Sequence, residues 1–362
     1  MIDVLGQIDY NKTKFAKKSC REEENGKAMV KEKRATIKDV AALSGVSIST
    51  VSRYLSNPES VKPFAAYKIK DAVNQLGYVP NTFARSLRKG GSKTIGVVIP
   101  NLEFFFGKAS KAISDYFYSQ GYVTFICETD NESDKEKFFI QQLIDQQVAG
   151  LIIASSGLNT VFLQKTYNQY PNMVMLDRAE KIGSDIVAEN YEETTYQLLI
   201  HMLKNKPCTR IELILGEETA VNTRLHMEGI HRALKEMGRD YSLVRPWYGC
   251  RRDGKIGDIM EAVLKELGNE RVTILGFEPD FVEEVVISVN RIKPSALSQI
   301  DLSGFTMPKT MNKMGMKFSC IIQNPEYAGI QAAQVLQKRI ENDSEHQEAV
   351  KYYEIKSTYY FV

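Results

Sequence analysis

Cysteine is scarce and scattered: five in 362 residues, at Cys20, Cys127, Cys208, Cys250 and Cys320, with no C-x-x-C pair and no grouping at metal-ligand spacing. That pattern argues against a disulfide framework or structural zinc and fits a reducing compartment. The four histidines, His201, His226, His231 and His346, have no carboxylate or cysteine at metal spacing. No metal or cofactor is expected. No apolar run reaches the ~20 residues of a membrane span, and the N-terminus lacks the apolar stretch of a signal peptide. The chain is therefore expected in the cytoplasm and not in a membrane. Also missing are G-x-S-x-G, a phosphate-binding G-x-x-x-x-G-K-[ST] and a strand followed by G-x-G-x-x-G, so no enzyme is expected. Nor is there an excess of one charge: Lys+Arg number 47 against Asp+Glu 45.

What is present is concentrated in residues 36–58, TIKDVAALSGVSISTVSRYLSNP. Thr36 and Asp39 have the spacing at which an N-cap hydroxyl and an N3 carboxylate each satisfy a free backbone N–H, so a helix should start there. Ile37, Val40 and Ala41 recur at helical spacing, and Gly45 stands where a left-handed turn residue is needed. Ser47 can cap a second helix whose buried stripe is Val51 and Leu55. That leaves Ile48, Ser49, Ser52 and Arg53 outward near its start, the layout of a helix that enters the major groove. A third helix is expected from about Pro63 to Leu76, with Phe64, Ile69, Val73 and Leu76 sealing a three-helix core. Charge is uneven locally: from 35 to 90, Lys38, Arg53, Lys62, Lys68, Lys70, Arg85, Arg88 and Lys89 face only Asp39, Glu59 and Asp71. This suits phosphate contact, although a solvated basic surface would look similar.

The run Tyr78-Val79-Pro80-Asn81-Thr82-Phe83-Ala84-Arg85-Ser86-Leu87 follows. With it, residues 36–87 resemble the headpiece of the LacI/GalR (lactose-repressor/galactose-repressor) family of bacterial transcription regulators. The resemblance implies a pseudo-palindromic double-stranded DNA operator and a homodimer. It places Ile48, Ser49 and Arg53 at bases and Ser47, Thr50 and Ser52 nearer phosphate. Thr36, Asn81, Ala84, Arg85 and Lys89 complete the expected DNA-binding set. Thr82 to Lys89 fall on a hinge helix, too short to be stable alone, with Leu87 as the residue pushed between base pairs.

The expected fold is thus an all-α helix-turn-helix headpiece (35–81), a hinge and linker (82–92) and an α/β core (93–362). Residues 1–34 are polar and aperiodic and read as disordered. Met29 is the expected initiator; a genuine basic arm is the alternative. From Lys93, strands alternate with helices: 94–100, 122–128, 150–155 and 173–177, then a second series at 210–216, 272–277 and 301–305. Two doubly wound subdomains are implied. By resemblance they form a two-lobed core like periplasmic sugar-binding proteins, with lobe 1 about 93–189 and 306–321 and lobe 2 about 190–305 and 322–362. Chain crossings are then expected near 188–191, 305–306 and 321–323.

The implied effector is a sugar-like small molecule. Arg224 is a candidate because it stands where the family has an arginine opening a helix; a surface arginine is the plain alternative. Asn101 and the run Phe104-Phe105-Phe106 follow the first strand, with Phe106 expected to stack on the ligand, and Asn190 lies at a crossing. Asp177 and Arg178 read as a structural pair. The family's Asn-Asp is replaced by Phe277-Glu278-Pro279-Asp280, so Glu278 or Asp280 could substitute. Gly304-Phe305-Thr306 and Lys206-Pro207 also depart from the family pattern. The function implied is repression of carbohydrate-utilisation genes, with operator affinity set by lobe rotation. The alternative is a catabolite-control regulator whose core answers to a phosphorylated protein partner.

Overall fold

The computed structural model describes residues 35–78, 92–205, 209–251, 254–307, 317–341 and 350–362. The expectations for residues 1–34, for Asn81, Ala84, Arg85, Leu87 and Lys89, and for Lys206-Pro207 lie outside them. The described chain forms two compact units, divided between Thr82 and Phe83.

The headpiece follows from its caps. Helix α1 (Ile37–Ser44) starts at a capping box in which Thr36 and Asp39 satisfy each other's backbone N–H, and ends at Gly45 with φ 67°, the left-handed region glycine enters without steric cost. Helix α2 (Ile48–Ser56) is capped by Ser47, whose hydroxyl accepts from the Thr50 N–H. Helix α3 (Pro63–Gln75) opens with proline at its first position. Val40, Val51 and Ile69 are fully buried where the three meet, with Leu55, Val73 and Leu76 packed around them. Phe64 does not join this core. It is 72% exposed, with the Lys68 ammonium over its ring, because its place in the first turn of α3 faces away from α1 and α2.

Among the described residues the core holds two six-stranded sheets. The first is built from β1 (Thr94–Ile99), β2 (Val123–Glu128), β3 (Gly150–Ile153), β4 (Met173–Leu176), β5 (Asp185–Ala188) and β11 (Tyr352–Glu354), in the order β11-β5-β4-β3-β1-β2. The second holds β6 (Arg210–Ile214), β7 (Val244–Trp247), β8 (Val272–Gly276), β9 (Ile300–Thr306), β10 (Cys320–Ile322) and β12 (Thr358–Tyr360), in the order β12-β10-β9-β8-β6-β7. All pairs are parallel except β10 with β12. Strands such as β3 and β4 are buried at every residue, as parallel strands covered on both faces must be.

The covering helices in lobe 1 are α4 (Phe104–Ser119), α5 (Ser133–Asp145), α6 (Thr160–Gln169) and α11 (Pro325–Glu341), and in lobe 2 α7 (Tyr191–Asn205), α8 (Val221–Glu236), α9 (Lys255–Glu266) and α10 (Phe281–Ile292). Helix α4 begins at Phe104, so all three phenylalanines lie in its first turn.

The partition of the lobes differs from the expectation after residue 305. β9 and β10 are neighbours in the second sheet, so the chain does not cross at 305–306. It crosses after β5, between β10 and α11, and between β11 and β12. Helix α11 belongs to lobe 1, where Ala328, Ala332 and Leu336 pack on the same cluster as Ile95, Ala109 and Ile113. Lobe 1 is therefore about 93–189 plus 324–355, and lobe 2 about 190–322 plus 356–362. The reason is strand pairing: Cys320, Ile321 and Ile322 find their hydrogen-bonding partners in Gly304, Phe305 and Thr306.

Candidate functional sites

The outward face of α2 is the first. Ile48 is 42% exposed and Ser49 and Arg53 are exposed, whereas Val51 is fully buried. Ser47 Oγ lies 2.8 Å from both Ser49 Oγ and Thr50 Oγ1, so the three hydroxyls form one polar cluster at the helix start. Ser52 is half-buried. An exposed N-terminal helix face carrying one arginine, hydroxyls and one aliphatic side chain can present a fork of donors to guanine and an apolar contact to a thymine methyl.

The second is a cleft between the lobes. Both sheets have the strand order 2-1-3-4-5, and ligands bind open α/β sheets outside the carboxyl ends of the strands, where the winding reverses. The cleft is formed from those ends. Asn101 follows β1, Asp177 and Arg178 follow β4, Arg251 follows β7, Phe277 and Glu278 follow β8, and Gln323 follows β10; Phe106, Tyr191 and Asn222 come from helix starts.

The chain turns sharply at Asp177, in the left-handed region at φ 61°, and so delivers two consecutive side chains to the cleft. A residue held there costs on the order of 1 kcal/mol or more, a strain found at functional sites. Tyr191 donates its hydroxyl proton to Asp177 Oδ1. Burial pushes Asp177 above the usual carboxylate range, opposed by that hydrogen bond and by Arg178. Arg178 is 2% exposed. Its guanidinium donates to Asn131 Oδ1 at 2.5 Å, pairs with Glu278 at 3.4 Å and lies 5.5 Å from the centre of the Phe106 ring. Arg251 pairs with Glu278, with Glu103 of the opposite lobe at 3.1 Å and with Asp280 at 3.5 Å. Burial raises Asp280, and the Arg251 charge opposes it. Thr219 Oγ1 of lobe 2 also donates to the Ser156 carbonyl of lobe 1 at 3.4 Å. With these contacts made, the cavity left in the cleft is about 20 Å³, roughly the room of one water.

Of the effector residues expected from sequence, Asn101, Phe106 and Glu278 line this cleft, and Asp280 sits beside it on Arg251. Two other expected residues are not among those that line the cleft. Arg224 is exposed on α8; the buried face of that helix carries Asn222 and His226 instead, two residues to either side. Asn190 Oδ1 accepts from the Glu193 N–H at the start of α7. Asp177 and Arg178 are not a self-contained pair either, since each takes its hydrogen-bond partner from another element. Tyr191, Asn222, Arg251 and Gln323 went unseen; their one legible signal was position directly after a strand or at a helix start. His226 lies beneath the site with Nδ1 2.7 Å from Thr195 Oγ1, enclosed by Tyr191, Phe277 and Phe305, and burial lowers it to about 3.

A three-helix headpiece with an exposed second-helix face, joined in one chain to a two-lobed α/β core with a cleft at its strand ends, defines a ligand-responsive DNA-binding regulator. The comparisons narrow this. Residues 36–81 match the model of bacterial regulatory proteins of the lacI family, and residues 92–250 match that of periplasmic binding proteins and the sugar-binding domain of the LacI family. The chain belongs to the LacI family of transcriptional regulators. It is 27% identical over 331 residues to the HTH-type transcriptional repressor PurR of Aliivibrio fischeri strain MJ11, covering 87% of this chain and 94% of that protein. Its fold is similar to the lac repressor dimer bound to operator and the anti-inducer ONPF (TM-score 0.71, 19% identity, 90% of this chain and 98% of that one). A LacI family regulator from Enterococcus faecium with bound ribose is also similar (TM-score 0.64, 19% identity, 74% and 96%). The chain is a DNA-binding transcriptional repressor of that family and not an enzyme.

Proposed function

We propose that the protein acts in the bacterial cytoplasm as a homodimer on a pseudo-palindromic operator, and that a polar, sugar-like small molecule in the inter-lobe cleft sets its grip on DNA. The observation that carries the effector reading is the convergence of side chains from both lobes on one site, with Arg178 meeting Glu278. A ligand there has different contacts in open and closed arrangements, which is what shifts an equilibrium between them. Aromatic faces at Phe106, Tyr191 and Phe277, beside the hydrogen-bonding groups of Asn101, Asn222 and Gln323, suit a ring with apolar faces and a polar rim. The related core with bound ribose supports the same class.

Base contact is assigned to Ile48, Ser49 and Arg53, with Thr36, Ser47, Thr50 and Ser52 positioning the helix. The homodimer is supported by β2, an edge strand with Val123, Phe125 and Ile126 exposed at 60%, 42% and 37%. An apolar edge of that kind needs a cover.

The test has two stages. Sites are first selected from random duplex DNA with the full chain; enrichment of a pseudo-palindrome is expected, and no enrichment refutes unassisted operator binding. Sugars and sugar derivatives are then screened for changes in melting temperature and in operator affinity. At least one is expected to change both, and silence across a broad panel refutes the effector reading.

A further inference from the structure

Glu278 stands at the carboxyl end of β8 with its carboxylate between two guanidiniums from opposite lobes, Arg178 at 3.4 Å and Arg251 in direct contact. Gly216 of the neighbouring strand end makes room for it: a Cβ there would lie 2.5 Å from Glu278 Oε1. We propose that Glu278 is a resident stand-in for an anionic group of the effector, and that the effector is a small polar molecule bearing a carboxylate or phosphate that displaces Glu278 from Arg178. This rests on the reading that the cleft takes an effector.

Space gives the first argument. The cleft as it stands leaves about 20 Å³, too little for a sugar-sized molecule, so a ligand enters only if the lobes part or a group that fills the cleft moves. Glu278 is the group that closes the cleft from its middle, touching cations of both lobes.

Charge gives the second. Arg178 is almost wholly buried, and a guanidinium does not shed its proton at working pH. Among the described residues, Glu278 is its one carboxylate within ion-pair distance; its other hydrogen bond goes to the neutral Asn131 amide. Asp177 is adjacent but bonded to Tyr191. A neutral ligand that pushed Glu278 aside would take away the one carboxylate within ion-pair distance of this buried cation and leave it only the fields of Asp177 and Glu217, a costly way to break such a pair. A ligand bringing its own anion would not. Arg251 tolerates the exchange, since Glu103 and Asp280 remain on it.

Unused donors give the third. Asn101 Nδ2, Arg178 Nε and Arg251 Nε are all buried without an acceptor. Asn101 and Arg178 are each more than nine-tenths buried, and both line the cleft. A phosphate or carboxylate has spare lone pairs for such donors and takes the planar fork of arginine in bidentate fashion. A hydroxyl group meets fewer of them.

The experiment titrates the full-length protein and its Glu278→Gln variant with matched aldoses, aldonic acids and aldose phosphates of five and six carbons, reading heat of binding and melting temperature. Glutamine keeps the shape and removes the competing charge. Charged members are expected to bind where their neutral parents do not, and at least tenfold more tightly to Glu278→Gln than to the unmodified protein. Arg178→Gln is expected to lose them. If that variant fails to fold, judged by circular dichroism, the Glu278→Gln comparison stands alone. The aldonate and phosphate arms tell which anion is preferred. Binding of neutral and charged members with equal affinity overturns this inference and leaves the effector reading standing. So does a charged ligand whose affinity is unchanged or weakened by Glu278→Gln. Binding of no member by either protein overturns this inference, and silence in the broad panel above additionally sinks the effector reading.

Discussion

Gln323 Nε2 donates to Tyr191 Oη at 3.3 Å, tying the second chain crossing between the lobes to the first. Two residues before Tyr191, Glu189 is 1% exposed, and its carboxyl is faced by Gln323 and by Ser357 of the third crossing. A buried acid thus sits where all three crossings meet. Among the described residues, Asp177, Tyr191, Tyr352 and Tyr359 are titratable groups that interact with it. Burial pushes Glu189 up to about 8.

A pH dependence follows. The folded chain keeps this proton up to about pH 8, while the unfolded chain releases it near 4.5. Between those values the folded state binds more protons, so stability falls as pH rises. His226 acts oppositely between about 3 and 6.5, being held neutral when folded, which leaves pH 6.5–8 as the window where Glu189 dominates this pair. Glu189→Gln should remove a loss on the order of 1 to 2 kcal/mol across that window, since a pKa unit is worth roughly 1 kcal/mol. Urea unfolding at several pH values checks it; an unaltered slope would show that Glu189 ionises freely.

Arg53→Ala should relax base preference at one position per half-site, by about 1 to 3 kcal/mol. Affinities for a set of singly substituted operators decide it. Uniform weakening across the set would make Arg53 a phosphate contact.

Thr36→Ala removes the hydroxyl that accepts from the Asp39 N–H and donates to Asp39 Oδ2, while the backbone N–H of residue 36 still holds that carboxylate. The loss of an N-cap is worth about 1 kcal/mol. Hydrogen exchange in α1 should quicken by roughly fivefold, RT being ~0.6 kcal/mol, while exchange in β1 and β3 stays unchanged.

Phe125→Asp places a charge on the exposed apolar edge of β2. The protein is expected to sediment as a monomer at micromolar concentration and to lose most operator affinity, because two half-sites bind as a unit only through a dimer. A sedimentation coefficient equal to that of the unmodified protein would move the dimer surface elsewhere.

The headpiece was legible almost to the residue because its determinants are local. The Thr36–Asp39 box, the left-handed Gly45 and the Ser47 cap act within four residues of sequence, and Val40, Val51 and Ile69 complete a core across short loops. Phe64 escaped the pattern since helical spacing alone does not say which face of α3 meets its neighbours. In the core, strand and helix order could be read from buried runs such as those at 94–99 and 150–153.

Only the tertiary structure decided how those elements are shared between lobes and which side chains meet. Membership of β10 in lobe 2 depends on its pairing with Gly304 to Thr306, and the place of α11 in lobe 1 depends on its packing beside α4, 200 residues away in sequence by order of magnitude. The cleft is assembled at the ends of strands from both sheets, so Arg178 and Glu278, 100 positions apart, become partners while Arg224, placed by analogy of motif, faces solvent. Sequence determined that this is a LacI-type regulator because capping and periodicity are short-range physics; the chemistry of its effector site is a product of long-range strand pairing.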